Sequence, residues 1–455
     1  MNRSTIAALD IGSSKVCCII GHVNKDKKVK IVGYGYNASN GIKNGVITDI
    51  NSATMSVCNA VEEAEQQANE RINSVILNVS GDKTISSLRQ TSIQLKRNKP
   101  ISEIELNKLM LKGLEKVNVE NNELIHCLYT NYRVDGGEEI KDPLNIYGEE
   151  LAVNILLGMY PNVQYRNLAS VVEAAHLNID SRVLTAYASG MACLVDDERE
   201  YGATIIDIGG GTTSMATFKN GFPVAFSTIP VGGINITRDI TQGLTTSFEH
   251  AEDLKIRCGC AFGVAHDQYE SINVYPLGEE DDSSIRQMHR SDLIRIIAPR
   301  VEEMFELVSK KLEAHGLKNK QNHRVVITGG CSQLPGIRDV ANLILDKQVR
   351  LGGPRNIVGA PEKLNNNPYI LLFISGLKYG LFLFLSFLIY DLVFDKNNKY
   401  RPFLIFSSIT LTAFSFIVLL TKSFSHTDLQ PACILLITLY IYLKTAFTER
   451  TFKNS

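Results

Sequence analysis

ATIIDIGGGTT, residues 203–213, is an apolar run that ends at Asp207 and Ile208, then turns through Gly209, Gly210 and Gly211 into Thr212 and Thr213. Glycine loses more backbone freedom on folding than any other residue, so three in a row need a compensating reason. A hairpin that wraps an anion supplies one, because the N–H groups of such a turn point at the anion's oxygens. The same design stands earlier in LDIGSSK, residues 9–15, where Asp10 lies near the end of an apolar strand and Gly12, Ser13, Ser14 and Lys15 follow in a small-residue turn.

Two Asp-x-Gly turns of this kind would place two carboxylates and two donor loops on opposite sides of one nucleotide. Asp10 and Asp207 then make chemical sense as holders of water on Mg2+, which keeps most of its waters and takes few protein ligands. A third turn, VVITGGCSQLPG at 325–336, pairs Gly329 and Gly330 after a buried-type strand. Paired glycines there permit close backbone contact with a flat ring such as adenine and its ribose, and Ser332 is expected to start the following helix. The order is phosphate turn, phosphate turn, base turn, and it points to ATP.

Outward from these turns, the 455 residues exceed one ordinary core; domains run roughly 100 to 200 residues. The body alternates short apolar strands (7–11, 75–81, 203–211, 324–330) with amphipathic helices, the signature of an α/β protein. One helix is expected over 51–71, entered through Asp49, Asn51 and Ser52, with Met55, Ala60 or Val61, and Ala64 on its buried side. Another carries Ile294, Ile297, Val301, Met304, Val308 and Leu312 as a core stripe and stops at Gly316. Residues 83–164 read as an insertion with a helix near 102–115 and a turn at Asp135, Gly136 and Gly137.

A net charge of −1 and a pI near 6.8 offer no global attraction to nucleic acid, so that partner class is set aside. Nine scattered cysteines and a start without a leader pattern suggest a reducing cytoplasm for the body. The lone Cys258-x-Cys260 pair lacks the further ligands a zinc site needs.

The ordered turns resemble the actin and heat-shock-chaperone superfamily, and the text between them resembles its bacterial cell-division branch, the FtsA family. That resemblance runs from about residue 5 to about 369 through GIKNGVITDI (41–50), ILNVSG (76–81), EELAVNILLG (149–158), NLASVVEAAHLNID (167–180) and PVGGINITRDI (230–240). It implies a two-lobed actin-like ATPase fold: 1–82 and 166–195 as the first lobe, 83–165 as a family-specific insert, 196–234 and 316–390 as the second lobe, and 235–315 as its subdomain; at 391–455 the chain departs from the linker and amphipathic helix usual in the family, and its apolar composition reads as a membrane-anchoring tail. By the same resemblance Gly12, Ser13, Ser14 and Lys15 contact phosphates from one turn, and Gly209, Gly210, Gly211, Thr212 and Thr213 from the second. Gly233 faces them from the other lobe, and Glu252, Lys255, Gly329, Gly330 and Ser332 complete the adenosine pocket.

The implied function is an ATP-binding, self-polymerising protein at the cytoplasmic face of the division site. It would link the C-terminal tail of the tubulin-like protein FtsZ to membrane lipid and help assemble other division proteins. Relatives among the chaperones orient the attacking water with a Glu-Pro pair. Thr185 and Ala186 stand in its approximate place, so hydrolysis is expected to be slow. Rival readings are a pilus-assembly or shape-determining actin homologue, or a metabolite kinase; the kinase needs an acidic base, and no Asp is clearly offered for it.

From residue 370 the composition changes, with eight basic and four acidic residues against 39 and 44 before it. Residues 370–390 read as a docked helix, because Lys378 would cost about 3 kcal/mol at a bilayer centre. Residues 403–420 hold no charge, and twelve large apolar side chains at about −0.4 kcal/mol each give roughly −5 kcal/mol toward insertion. With 432–443 as a second limb and Lys or Arg at both flanks, a hairpin with both ends cytoplasmic is expected; an apolar tail produced by a shifted reading frame is the alternative.

Overall fold

The computed structural model describes residues 4–23, 29–96, 98–115, 120–278, 285–316 and 323–355. The expected elements of the apolar tail, 370–390, 403–420 and 432–443, lie outside the described residues.

Two five-stranded sheets carry the fold, and they are wired alike. In the first the order is Asn178–Leu184, Ser74–Val79, Ser4–Ile11, Lys15–Val23, Val29–Ala38. In the second it is Phe222–Ile229, Thr213–Lys219, Ala203–Ile208, Arg324–Thr328, Val349–Leu351. Each is an antiparallel meander of three strands, extended on the far side of its first strand by two parallel ones. The registers coincide. Asp10 pairs with Cys17 in the hairpin and Asn78 on the parallel side, and Asp207 pairs with Ser214 and Thr328. The strand-and-turn likeness seen in the sequence is therefore a repeat of a whole sheet.

The central parallel strands read as mostly apolar runs because helices cover the sheets, while the edge strands Asn178–Leu184 and Val349–Leu351 carry polar, partly exposed residues. Ala203–Ile208 is buried at every position. Under the first sheet the core includes Leu9, Val57, Ala60 and Leu77; under the second it includes Ile206, Ile236, Val301 and Val325.

The helix expected over 51–71 spans Ile50–Ala68. The Asp49 side chain accepts from the Asn51 and Ser52 N–H groups, and Asn69 in the left-handed region ends the helix short of residue 71. Its buried face is Ala53, Val57, Ala60, Val61 and Ala64, while Met55 is 68% exposed, a correction to the expected stripe. The reason is the closeness of the sheet. A Cβ on Gly35 would lie 2.0 Å from the Ala60 carbonyl oxygen, so only small side chains fit between helix and strand. The second expected helix, Arg290–Ala314, buries all six residues of its stripe, and Gly316 follows with φ 69°.

A separate three-stranded sheet, Ile85–Gln94, Glu150–Pro161, Asn122–Val134, packs with the helix Glu103–Glu115 around Ile101, Leu109, Leu151, Val153 and Ile155. Asp135 and Gly136, both with positive φ, make the polar turn after its Asn122–Val134 strand.

Candidate functional site

The sheet repeat brings Asp10 and Asp207, with the turns that follow them, into one cleft. In the first turn Gly12 N–H donates to the Lys15 carbonyl (3.1 Å), Ser39 Oγ donates to Gly12 O (2.7 Å), and Ser13 Oγ accepts from Gly45 N–H (2.8 Å). In the second, Gly209 N–H donates to Thr212 O (2.9 Å). The turns touch. A Cβ on Gly210 would come within 2.8 Å of Ser14 Cβ, and one on Gly211 within 2.7 Å of Ser13 Oγ. The glycines are thus required by close approach of one turn to the other, and Ser80 Oγ meets Thr212 Oγ1 at 3.3 Å beside them. Lys15, Thr185, Ser214 and Gly330 line the same cleft.

Asp207 is buried and Asp10 half-buried, and both are held by neutral donors. Asn78 Nδ2 donates to Asp10 Oδ1 (2.7 Å), and Ser189 Oγ donates to Asp207 Oδ2 (2.6 Å). Burial pushes the Asp207 carboxyl up to about 7, against the Ser189 hydrogen bond that lowers it, and the neighbouring Asp10 charge adds to the rise. Burial also raises Asp10, opposed by the Asn78 hydrogen bond and the Lys15 charge. Burial lowers Lys15, against the charges of Cys17 and Asp10. A carboxyl raised by burial and by a neighbouring carboxylate is the chemistry that a cation relieves.

A second group of expected residues gathers around the helix Phe248–Arg257. Lys255 Nζ donates to Glu252 Oε2 (2.6 Å), Thr237 Oγ1 (2.9 Å) and the Gly233 carbonyl (3.2 Å). Gly233 starts the helix Gly233–Leu244 and docks on the second turn, its N–H on Gly209 O (2.9 Å) and that of Ile234 on Gly210 O (2.8 Å). A Cβ on Gly233 would lie 3.6 Å from Cys331, so the helix start, Lys255 and the third turn converge.

Two expected residues turn elsewhere. Thr213 is fully buried with its hydroxyl on Val231 O (2.8 Å), so its side chain serves the sheet's core. Ser332 does not start the following helix. It lies in a single 3-10 turn, Gly330–Gln333, its hydroxyl on Gly329 O (2.6 Å), and the helix Ile337–Leu345 begins after Gly336. Pro335 disfavours helical backbone at the residue before it, and Leu334 is extended, which delays the helix. Reading the sequence missed Asn78, Ser189, Ser80 and Thr237. An amide inside the apolar strand 74–79 was a usable signal, since a buried amide needs partners.

A family model described as "Cell division protein FtsA" matches residues 204–372, and one described as "SHS2 domain inserted in FTSA" matches 81–157. Cell division protein FtsA of Agrobacterium fabrum is 36% identical over 366 residues, covering 78% of this chain and 82% of that protein. Its Escherichia coli counterpart is 31% identical over 391 residues, covering 83% and 91%. Among solved structures, a chain of a PilM-PilN type IV pilus biogenesis complex superposes with a TM-score of 0.58 at 15% identity, covering 84% of this chain and 99% of that one. At that identity the likeness is one of fold.

Proposed function

Since the chain belongs to the FtsA family of cell-division proteins, we propose that its cleft binds ATP with Mg2+ and that the protein polymerises in actin fashion, tying FtsZ filaments to the cytoplasmic membrane at the septum. Its fold is the two-lobed actin-like ATPase fold with the insert of that family. The observation that carries the nucleotide reading is the meeting of two small-residue turns and two neighbouring carboxylates, Asp10 and Asp207, in one cleft.

On this reading the N–H groups of Ser13, Ser14 and Lys15 on one side, and of Gly210, Gly211 and Thr212 on the other, donate to phosphate oxygens, while Gly12 and Gly209 close the two turns with their own N–H groups. Gly233, Glu252, Lys255, Gly329 and Gly330 flank the adenosine, Ser332 fixes the Gly329 turn, and Thr213 anchors the second turn to the sheet. Mg2+, when bound, neutralises phosphate charge, and its waters suit Asp10 and Asp207. Ser13 and Ser14 pack on Gly211 and Gly210, so a phosphate between the turns must part them. Nucleotide then favours whichever lobe angle gives it more contacts, and the cleft works as a switch.

Slow hydrolysis is supported by Thr185, whose hydroxyl is committed to Asn78 Oδ1 (3.1 Å) and Val79 O (3.2 Å), and by Ala186 beside it. No carboxylate stands where the chaperones orient water. Purified protein should turn over ATP far below the order of tens per second; a faster rate without a partner contradicts the switch.

FtsZ binding is assigned to the subdomain at 235–315. There Phe248, Ile256, Phe262, Tyr269 and Leu277 are exposed, the last three at 51%, 80% and 63%, and such exposed apolar side chains are available to an apolar peptide. The uncharged stretch 403–420 supports a membrane tether; among the described residues no helix is long and apolar enough to cross a membrane. Pull-down with an FtsZ tail peptide tests the partner, and retention of the chain in carbonate-washed membranes tests the tether. Loss of either binding removes that arm of the proposal.

A further inference from the structure

The helix Thr185–Cys193 leaves the last strand of the first sheet and lies between it and the first strand of the second in the chain. Thr185 and Ser189 stand one turn apart on it; Ser189 touches one carboxylate and Thr185 touches the amide that holds the other. Ser189, with no exposed surface, donates to Asp207 Oδ2 at 2.6 Å. Thr185 donates to Asn78 Oδ1 at 3.1 Å, and Asn78 Nδ2 passes the contact on to Asp10 Oδ1 at 2.7 Å. Only this orientation of the Asn78 amide satisfies both neighbours, because a carboxylate accepts and cannot donate while ionised. A single helix thereby holds one oxygen of Asp207 directly and supports, through Asn78, the amide that holds one oxygen of Asp10.

A grip of this kind restricts rotation of the carboxylate about its Cβ–Cγ bond. Magnesium demands near-ideal octahedral geometry, so the direction in which each carboxylate presents its oxygens to the ion's waters matters as much as its charge. Partners of metal-holding groups typically set metal affinity by ten- to a hundredfold. The Thr185 hydroxyl also donates to Val79 O at 3.2 Å, which fixes the helix start on the strand that carries Asn78.

Resting on the nucleotide reading above, we propose that Ser189 and, through Asn78, Thr185 are positioning residues that orient Asp207 and Asp10 for a divalent cation, making this helix the common support of both. The consequence is that the helix registers both halves of the cation site at once. Any shift of it relative to either sheet disturbs one carboxylate.

The test uses the full chain, a fluorescent N-methylanthraniloyl ATP and a Mg2+ titration, with Ser189→Ala and Thr185→Val as near-isosteric variants. The half-saturating Mg2+ concentration should rise about tenfold in each variant, with the ratio of affinities in Mg2+ and in EDTA falling to match. Thermal melts in EDTA establish that the variants fold, and the two substitutions report independently should one not. Unmoved Mg2+ midpoints in folded variants overturn the inference alone. Wild-type binding that ignores Mg2+ overturns the cation role while leaving nucleotide binding in place. Absence of wild-type binding overturns the nucleotide reading and this inference together.

Discussion

Gly329 and Gly136 both hold positive φ, at 89° and 71°, yet they should respond differently to a methyl group. A Cβ on Gly329 would sit 2.4 Å from Asp207 Oδ1 and 2.5 Å from Ile208 O, whereas one on Gly136 meets nothing within 4 Å. Gly329→Ala should therefore lower stability by about 3 kcal/mol and Gly136→Ala by about 1 kcal/mol, read from urea unfolding. His126 makes a second prediction. It accepts from Leu184 N–H at 3.0 Å and packs against Tyr187 at 4.9 Å, and burial, with the Arg182 charge, lowers its pKa from 6.5 to about 3. The unfolded chain binds this proton first, so the contribution is present above pH 6.5 and is lost as pH falls toward 3. Between pH 7.5 and 5 the wild type should lose about 2 kcal/mol that His126→Gln does not. Equal pH slopes for the two would contradict a neutral, buried imidazole.

At the scale of elements, legibility followed how strongly a segment's pattern tied it to one partner. The stripe Ile294 to Leu312 was readable because large apolar residues recur at helical spacing and all are buried. The helix Ile50–Ala68 was readable as a helix but not in its face, since the sheet comes too close for anything larger than Ala, Ser or Val. Met55, the largest apolar residue in its middle, was thereby assigned to the wrong side. Met55→Lys should change stability by no more than about 0.5 kcal/mol, while Gly35→Ala, driven into Ala60 O, should cost about 3 kcal/mol by chemical denaturation. The glycine turns were legible because three adjacent glycines have few other uses. Asn78 and Ser189 were not, because their partners lie 68 and 18 residues away and only the folded sheets bring them together.

For the whole molecule, the repeat of one five-stranded plan explains why two similar strand-and-turn segments lie about two hundred residues apart. Each sheet delivers a carboxylate and a turn from the same register, and the Thr185–Cys193 helix ties both carboxylates together. The family relation supplies the setting in cell division, and the cleft supplies the proposed switch. The most direct test of that switch is calorimetric titration of MgATP into the full chain and into Gly211→Val, whose side chain would fill the 2.7 Å approach to Ser13 Oγ. The wild type should bind, and the folded variant should bind about tenfold or more weakly. Equal affinities, or no binding by the folded wild type, would contradict an ATP site between the two turns.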